Sequence, residues 1–478
     1  MGGGSRSVCI IGAGASGLAA LQQCLSHDLD AIVYESRSEI GGAWLLTEPG
    51  QCHVEFDEFR VAHATTSSTD DFLLPPTPMY PGLRTNVPTP LMEYRGQPFN
   101  RDVGLFPGPE RVLQYLQQTA STPQLRQRIH VNRHVKRVRH TRPDDGGQQR
   151  RWLVETVDNS MCTNRDATSL SSSSSSSATE QFDCVMFANG HYSKPFIPPI
   201  TGLDSWPHTI THARWYRQPE PFKHQTVLVV GTGPSGYDAT RELAMQLHER
   251  RISQPEASDL PKLYQSMRSP SKMGIAFDDP TAPDWASEVT VVPTIEQVKG
   301  SSIHLSNGST LRDVDVILFA TGYYFEFPFC HSTDEPWSSA PLVHKPTSQI
   351  DNIGSIRPHN LDQRDLFYVP DSTCAVLCTQ YLVLPFPLAQ LQSRMCSKFW
   401  SGECQLSIEQ NQHESEPETR QPLVYGHPKQ YDKHDEWLKE IGEGQLATEV
   451  DYDWRETPQS IRDLRLGAKG LRRSVLGF

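Results

Sequence analysis

The chain lacks the paired cysteines and grouped histidines that mark most dithiol and metal sites. Its ten cysteines include no Cys-x-x-Cys spacing. The nearest pair, Cys374 and Cys378, lies in an apolar run, where two small buried side chains are the simpler interpretation. His208 and His212 have a ligand-like spacing, but no third ligand accompanies them. These absences predict a protein without a metal site, from a reducing compartment.

Long apolar runs and an excess of positive charge are also missing. No window approaches about 18 uninterrupted apolar residues, so we expect no membrane span, and the beginning of the chain does not read as a signal peptide. The formal net charge of −12 disfavours a nucleic-acid partner, because phosphate binding needs clustered Lys and Arg. The short basic clusters, 133–139 and Arg472 with Arg473, are interpreted as exposed faces. We therefore predict a cytoplasmic protein.

Two similar stretches, VCIIGAGASGLAA at 8–20 and LVVGTGPSGYDA at 228–239, are the main positive signal. Each reads as a buried strand, a glycine turn and a helix, and a second strand follows each helix. The 478 residues are therefore expected to form an α/β protein with two Rossmann-like dinucleotide-binding domains, the second inserted in the first. The predicted limits are 1–215 with 325–478 for the first domain and 216–324 for the second.

The remaining segments are harder to assign. Residues 49–109 are rich in Pro and Asp and are expected to form loops over a site. Residues 158–181 contain seven consecutive serines, which predicts a disordered hairpin insertion. Sheet returning to the first domain is expected within 351–369 and 374–383, followed by a helix over 388–399.

The first glycine turn has the spacing of a dinucleotide phosphate site. Gly12, Gly14 and Gly17 match G-x-G-x-x-G directly after a strand, which permits a tight turn, close approach of a pyrophosphate and close packing of helix on strand. The helix N-terminus offers free N–H groups to the phosphates. Glu35 ends the next strand, where an acid binds ribose hydroxyls.

The second turn repeats this spacing with Gly231, Gly233 and Gly236, but its next strand ends near Arg268 and carries no acid at its tip. A guanidinium pairs with a 2′-phosphate that a carboxylate would repel, so this site favours NADPH over NADH. Arg268 as an ordinary surface charge remains the alternative. Asp238, early in the following helix, reads as a partner of the helix N-terminus or a structural hydrogen bonder.

Several segments resemble the class B flavin-containing monooxygenase (FMO) family, closest to its short fungal members. GAGASGLAA followed by VYESRSEIGGAW resembles the family's FAD fingerprint, with Gly41, Gly42 and Trp44 as its Gly-Gly-x-Trp. MYPGLRTNVPTPLMEY resembles the segment whose Asn, here Asn86, lies beside the flavin. FANGHYSKPFIPPITG and FATGYYFEFPF resemble the links between the two domains. The resemblance implies FAD and NADPH (NADP⁺) as cofactors.

The identifying motif of this family, Phe-x-Gly-x-x-x-His-x-x-x-Tyr/Phe, matches in part. His212 and Tyr216 agree with it, whereas Trp206 and His208 stand where the family has Phe and Gly. Baeyer–Villiger relatives usually have Trp at the position of Tyr216, and Trp215 is one residue away from it.

The resemblance also implies a reaction. NADPH would reduce FAD, and the reduced flavin would react with O₂ to a C4a-hydroperoxyflavin that oxygenates a nucleophilic N or S atom of a small molecule, in a role that fits secondary metabolism. Asn86 would be the catalytic amide, although Asn is also a common turn residue. Baeyer–Villiger oxygenation, and an NADPH oxidase or flavin reductase without oxygen transfer, remain the alternatives. A homodimer is left open.

The residues predicted to bind the cofactors come from both turns, the strands after them and the resembling segments. They are Gly12, Ala13, Gly14, Ala15, Ser16, Gly17, Glu35, Ser36, Arg37, Gly42, Ala43, Trp44, Thr85, Asn86, Val135, Gly231, Gly233, Pro234, Ser235, Gly236, Ser266, Arg268, Thr321 and Gly322.

Overall fold

The computed structural model describes residues 5–58, 60–66, 74–141, 151–160, 177–256, 259–269, 274–343, 356–415, 419, 421–445 and 454–477. The α-helices are α1 (Ala15–Ser26), α2 (Pro109–Thr119), α3 (Pro123–Arg126), α4 (Pro234–Ser253), α5 (Pro385–Ser401), α6 (Lys429–Glu440) and α7 (Gln459–Leu476). The strands in the first half are β1 (Ser7–Ile11), β2 (Asp30–Tyr34), β3 (Cys52–Phe56), β4 (Ala62–Thr66), β5 (Ile129–His130), β6 (Arg133–His140), β7 (Trp152–Asp158), β8 (Ser177–Phe182), β9 (Cys184–Phe187) and β10 (Lys194–Pro195). Those in the second half are β11 (Thr209–His212), β12 (Val227–Val230), β13 (Leu263–Ser266), β14 (Val289–Val292), β15 (Ile295–Lys299), β16 (Ser302–Leu305), β17 (Thr310–Leu311), β18 (Val316–Phe319), β19 (Tyr323–Tyr324) and β20 (Cys374–Val376).

The first parallel sheet collects strands from both ends of the chain. Its order is β20-β9-β1-β2-β5, and every neighbouring pair is parallel. The middle strands are apolar on both faces because both are covered: α1 and α5, packed against each other, cover one face, and the strands β6, β7 and β8 cover the other. The chain therefore leaves this sheet after β9 and returns to it at β20, as the sequence predicted.

The second parallel sheet lies between these two passages and has the order β11-β18-β12-β13-β14. In each sheet the strand that precedes a glycine turn is central, and a three-stranded antiparallel sheet follows: β6-β7-β8 in the first unit and β15-β16-β17 in the second. The α/β architecture with two Rossmann-type units is thus confirmed. The limits 215 and 216 stay a prediction, since the second sheet already takes in β11.

Three expectations about local structure need correction. The stretch 49–109 is not only loops, because β3 and β4 form an antiparallel hairpin with Cys52 opposite Thr66. The alternation in CHVEF was the missed signal. The last residues of the predicted insertion 158–181 form β8, paired to β7, while 161–176 lie outside the described residues. Within 351–369, residues 351–355 lie outside them too, and the rest forms isolated bridges such as Leu361 to Tyr368 rather than strands.

The C-terminal part contains more helix than the sequence predicted. Helix α5 is longer at both ends than the expected 388–399, and α6 and α7 follow it. Among the residues that the structure describes, no helix is both long and apolar enough to cross a bilayer.

Candidate dinucleotide sites

The first glycine turn is folded so tightly that a side chain at two of its glycines would clash with backbone atoms. Gly12 has φ +104°, and a Cβ there would lie 2.7 Å from the carbonyl oxygen of Ala188 on the neighbouring strand. A Cβ on Gly17 would lie 1.8 Å from the carbonyl oxygen of Gly12. These two glycines therefore serve the strand-to-helix turn itself.

Glu35 lies at the end of β2 and points back at this turn. It is buried, and its carboxylate accepts hydrogen bonds from the backbone N–H of Ala13 at 2.7 Å and of Arg37 at 2.8 Å. Burial raises the pKa of the carboxyl, and the two backbone donors oppose that shift. The predicted ribose acid is thus held beside the predicted phosphate turn.

The Gly-Gly-x-Trp segment packs on the same turn. Gly41 N–H donates to the carbonyl oxygen of Ala13 at 3.1 Å, and a Cβ on Gly42, which has φ +56°, would lie 2.7 Å from Gly14 Cα. The ring of Trp44 contacts Phe386 edge-on, at the beginning of α5. The first turn, this segment and α5 therefore meet at one place, at the carboxyl end of β1.

The second glycine turn repeats the geometry of the first. Gly231 has φ +115°, and its Cβ would lie 2.6 Å from the carbonyl oxygen of Ala320. A Cβ on Gly236 would lie 2.3 Å from the carbonyl oxygen of Gly231. Each turn is thus braced by the strand beside it, β9 in the first sheet and β18 in the second.

Among the described residues, no contact requires a glycine at the middle position of either turn. Gly14 and Gly233 have φ of −80° and −67°, which any residue adopts. A Cβ on Gly14 would make ordinary contact with Gly42, and one on Gly233 would meet no atom of the described residues within 4 Å. Both are the N-caps of their helices, which have no side-chain cap and no acid in the first turn. Uncapped N–H groups beside an open glycine fit a pyrophosphate at each turn.

The predicted NADPH residues after β13 differ in exposure. Ser266 is buried at the end of β13 and donates to the carbonyl oxygen of Pro293 at 2.9 Å. Arg268, two residues further on, is exposed, so its side chain is available to a ligand. Thr321 donates to the carbonyl oxygen of Phe196, and Gly322 has φ +90° in the link after β18.

The histidine of the partial motif is a neutral structural residue. His212 Nε2 donates to the carbonyl oxygen of Gly322 at 3.1 Å, and its Nδ1 accepts from the backbone N–H of Arg214 at 3.1 Å. Burial lowers its pKa to about 3, whereas His208 is exposed. In the described part of the chain no group of three or more His, Cys, Asp or Glu could hold a metal ion.

The segment after His212 joins the two units through residues that the sequence did not single out. Arg214 is 2% exposed and donates to the carbonyl oxygens of Tyr192 and Ser193, while burial lowers its pKa to about 10. Arg217 donates to the carbonyl oxygens of Thr47 at 3.1 Å and Thr77 at 2.9 Å. In the sequence, Arg214 and Arg217 look like exposed charges on a link. Only the fold shows that they hold neighbouring segments together through backbone carbonyl oxygens.

Asn86 lies in an exposed bend directly after a buried residue, Thr85. The backbone N–H of Thr85 donates a hydrogen bond to the carbonyl oxygen of Pro107 at 3.2 Å. Its hydroxyl donates to the carbonyl oxygen of Val87 at 3.0 Å. The Asn86 amide therefore projects from an anchored segment.

The other predicted cofactor residues are local to these features. Val135 is buried in β6, and the hydroxyl of Ser36 lies 3.4 Å from Glu35. The remaining ones lie in the first turns of α1 and α4 and in the Gly-Gly-x-Trp segment: Ala15, Ser16, Ala43, Pro234 and Ser235. Their contacts with a cofactor stay predictions.

Two glycine turns, each after a central parallel strand and each opening an uncapped helix, define a two-domain protein of the Rossmann-type dinucleotide-binding class. The family model described as "FMO-like: Flavin-binding monooxygenase-like" matches residues 5–56, 75–260 and 247–443. The chain therefore belongs to the flavin-containing monooxygenase family, which implies a flavin cofactor and makes it an oxidoreductase.

Individual relatives agree with this assignment. The chain is 28% identical over 415 residues to "Flavin-containing monooxygenase FMO GS-OX-like 4" of Arabidopsis thaliana, covering 84% of this chain and 77% of that one. It is 28% identical over 399 residues to the "Thiol-specific monooxygenase" of Saccharomyces cerevisiae, covering 81% and 75%. The solved structure of S-allyl-L-cysteine S-oxygenase from Allium sativum has the same fold, with a TM-score of 0.71, 24% identity and coverage of 98% and 93%.

Proposed function

We propose that the protein is an NADPH- and O₂-dependent monooxygenase that oxygenates a nucleophilic sulfur or nitrogen atom of a small molecule, with FAD at the first turn and NADPH at the second. The observation that carries the proposal is the pair of open middle glycines, Gly14 and Gly233, each at the N-terminus of an uncapped helix. Bound flavin supplies the redox chemistry, and this chain supplies binding and orientation. A cytoplasmic location, a homodimer and a role in secondary metabolism stay predictions.

The cysteines favour oxygen over a dithiol as the electron acceptor. All those in the described residues are free. Cys378 lies beside Ser16 of the first turn, and burial raises its pKa to about 12, so its thiol stays protonated near neutral pH. A protonated, buried thiol is a poor nucleophile, which disfavours a reductase that passes electrons to cysteine.

Sulfur is the preferred atom within the proposal, because two of the relatives described above are a thiol-specific monooxygenase and an S-oxygenase by name. The test is a panel of one thiol, one thioether, one tertiary amine and one cyclic ketone, with products identified by mass spectrometry. Oxygenated sulfur or nitrogen products support the proposal. Lactone from the ketone alone would instead favour Baeyer–Villiger chemistry, which the Trp215–Tyr216 pair leaves open.

Arg268→Ala is expected to narrow the preference for NADPH over NADH. The exposed guanidinium two residues after β13 would pair with the 2′-phosphate, and losing such a charge-assisted contact costs about tenfold in affinity or more. We expect KM for NADPH to rise while KM for NADH stays unchanged. The matched control is Arg312→Ala, another exposed arginine of the same unit. Equal changes in both variants would show that Arg268 is only a surface charge.

Asn86→Ala is expected to divert electrons from oxygen transfer to hydrogen peroxide. Asn86 is exposed, so truncation should leave stability and flavin content unchanged, while one hydrogen-bonding amide beside the flavin is lost. Loss of one such positioned donor lowers product formation by about tenfold to a hundredfold or more. Asn100→Ala, an exposed amide in the same unit, is the control. An unchanged peroxide fraction in Asn86→Ala would return Asn86 to the role of a turn residue.

A further inference from the structure

Helix α7 buries an arginine while it exposes apolar side chains. Leu466 is 71% exposed and Val475 is 50% exposed, whereas Arg472 is 2% exposed. The sequence-based interpretation of Arg472 as a solvated charge is therefore wrong, although it fits its neighbour Arg473, which is exposed. Burying a guanidinium costs free energy unless its partners compensate, so the contacts of Arg472 need an explanation.

Those contacts reach both units of the protein. Arg472 Nε donates to the carbonyl oxygen of Thr85 at 3.2 Å, and its Nη2 lies 3.7 Å from Asp238 Oδ1 in α4. Asp238 is also 2% exposed, and its Oδ2 accepts the Tyr80 hydroxyl at 2.7 Å. Arg241 Nη2 lies 3.7 Å from the same Oδ1. Asp238 thus ties α4 to the segment 80–86 both directly, through Tyr80, and indirectly, through Arg472.

The two joined elements, α4 and the segment 80–86, carry different predicted roles: α4 follows the NADPH-binding turn, and the segment 80–86 contains the predicted catalytic amide. Asp238 is two residues beyond Gly236, near the beginning of α4, the helix that follows the second glycine turn. Thr85 immediately precedes Asn86. A shift of either element relative to the other would change the distance between the nucleotide and the Asn86 amide, and misplacement by about 1 Å can cost a hundredfold in rate.

We propose that Arg472 is a positioning residue that fixes Asn86 relative to the NADPH-binding helix and thereby keeps NADPH oxidation coupled to oxygen transfer. The effect of Arg472 on coupling rests on the proposed function, whereas its effect on the position of Asn86 relative to α4 rests on the geometry alone. The planar guanidinium suits the task because Nε donates to the Thr85 carbonyl oxygen while the Nη2 end of the same charged group faces the Asp238 carboxylate, which a lysine ammonium does less well.

The test compares Arg472→Met with Arg473→Met, which removes an exposed charge from the next position of the same helix. A second variant, Tyr80→Phe, removes only the hydroxyl that donates to Asp238. It weakens the contact between α4 and the segment 80–86 but keeps both arginines that face the buried Asp238 carboxylate. The readouts are amide hydrogen exchange of the peptide 80–86, flavin content, and the fraction of NADPH electrons recovered as hydrogen peroxide.

We expect Arg472→Met to retain flavin, to exchange peptide 80–86 about tenfold faster and to release about fivefold more peroxide per NADPH than Arg473→Met. Tyr80→Phe should also raise the exchange rate of peptide 80–86 and the peroxide released per NADPH, but by smaller factors. If Arg472→Met does not fold, Tyr80→Phe decides the question by the same readouts. Hydrogen exchange and peroxide fractions equal to those of Arg473→Met would overturn the inference.

The failure of the proposed function has a different signature. If the unaltered protein yields no oxygenated product from any substrate, the proposed function fails, and hydrogen exchange of peptide 80–86 alone then decides whether Arg472 fixes the segment. Faster exchange confined to α7 would contradict the positioning role in either case.

Discussion

Gly17→Ala is expected to empty the first dinucleotide site of flavin. The added Cβ would lie 1.8 Å from the carbonyl oxygen of Gly12, a backbone atom that cannot rotate away. The helix α1 must therefore move off β1, which breaks the turn that presents its N–H groups. We expect flavin occupancy after desalting to fall by about tenfold or more, and the free energy of unfolding to fall by about 1–3 kcal/mol from overpacking.

Gly467→Ala is the matched control for this variant. Gly467 lies inside α7, and a Cβ there would meet nothing within 4 Å in the described part of the chain, so the substitution should raise helix propensity slightly and leave flavin bound. The measurements are the ratio of flavin to protein absorbance and the urea midpoint of unfolding. Full flavin occupancy in Gly17→Ala would contradict the assignment of the flavin site to this turn.

Gly233→Ala is expected to weaken NADPH binding without affecting stability. The residue has φ −67°, and a Cβ would meet no atom of the described residues within 4 Å, so we expect the fold to tolerate alanine. A bound pyrophosphate would have to approach that same space, and its contact with the added methyl should raise KM for NADPH by about tenfold or more, while flavin content stays unchanged.

Gly236→Ala provides the contrast. A Cβ there would lie 2.3 Å from the carbonyl oxygen of Gly231, so this variant should lose stability as well as NADPH binding, which Gly233→Ala should not. Thermal unfolding of both variants without nucleotide separates the two effects. An unchanged KM in Gly233→Ala would mean that no phosphate lies at the second turn.

The fold was predictable where it depends on local sequence. Buried strands followed by glycines at fixed spacing can adopt few conformations, so the sequence predicts both strand–turn–helix units, β1 with α1 and β12 with α4. The same reason made Glu35 predictable, since the strand length alone brings its carboxylate back to the turn at 2.7 Å from the Ala13 N–H.

The features that were missed depend on contacts between distant segments. The burial of Arg214 is set by the carbonyl oxygens of Tyr192 and Ser193, and that of Arg472 by residues about 390 and 230 positions earlier in the chain, Thr85 and Asp238. An arginine in a polar sequence gives no sign of such partners. The hairpin β3–β4 is a different case. The sequence of β3, CHVEF, alternates apolar and polar residues and so predicts a strand, but we assigned the whole Pro-rich stretch around it to loops.

The proposed function requires that electrons from NADPH at the second turn are used to transfer one oxygen atom of O₂ to a substrate. The most direct test is a turnover experiment under isotopically labelled O₂ with a thioether or thiol, in which NADPH consumed, labelled product and hydrogen peroxide are measured together. We expect one labelled oxygen atom in the product for each NADPH, with little peroxide. NADPH consumption that is matched entirely by peroxide, with no label in the product, would contradict it.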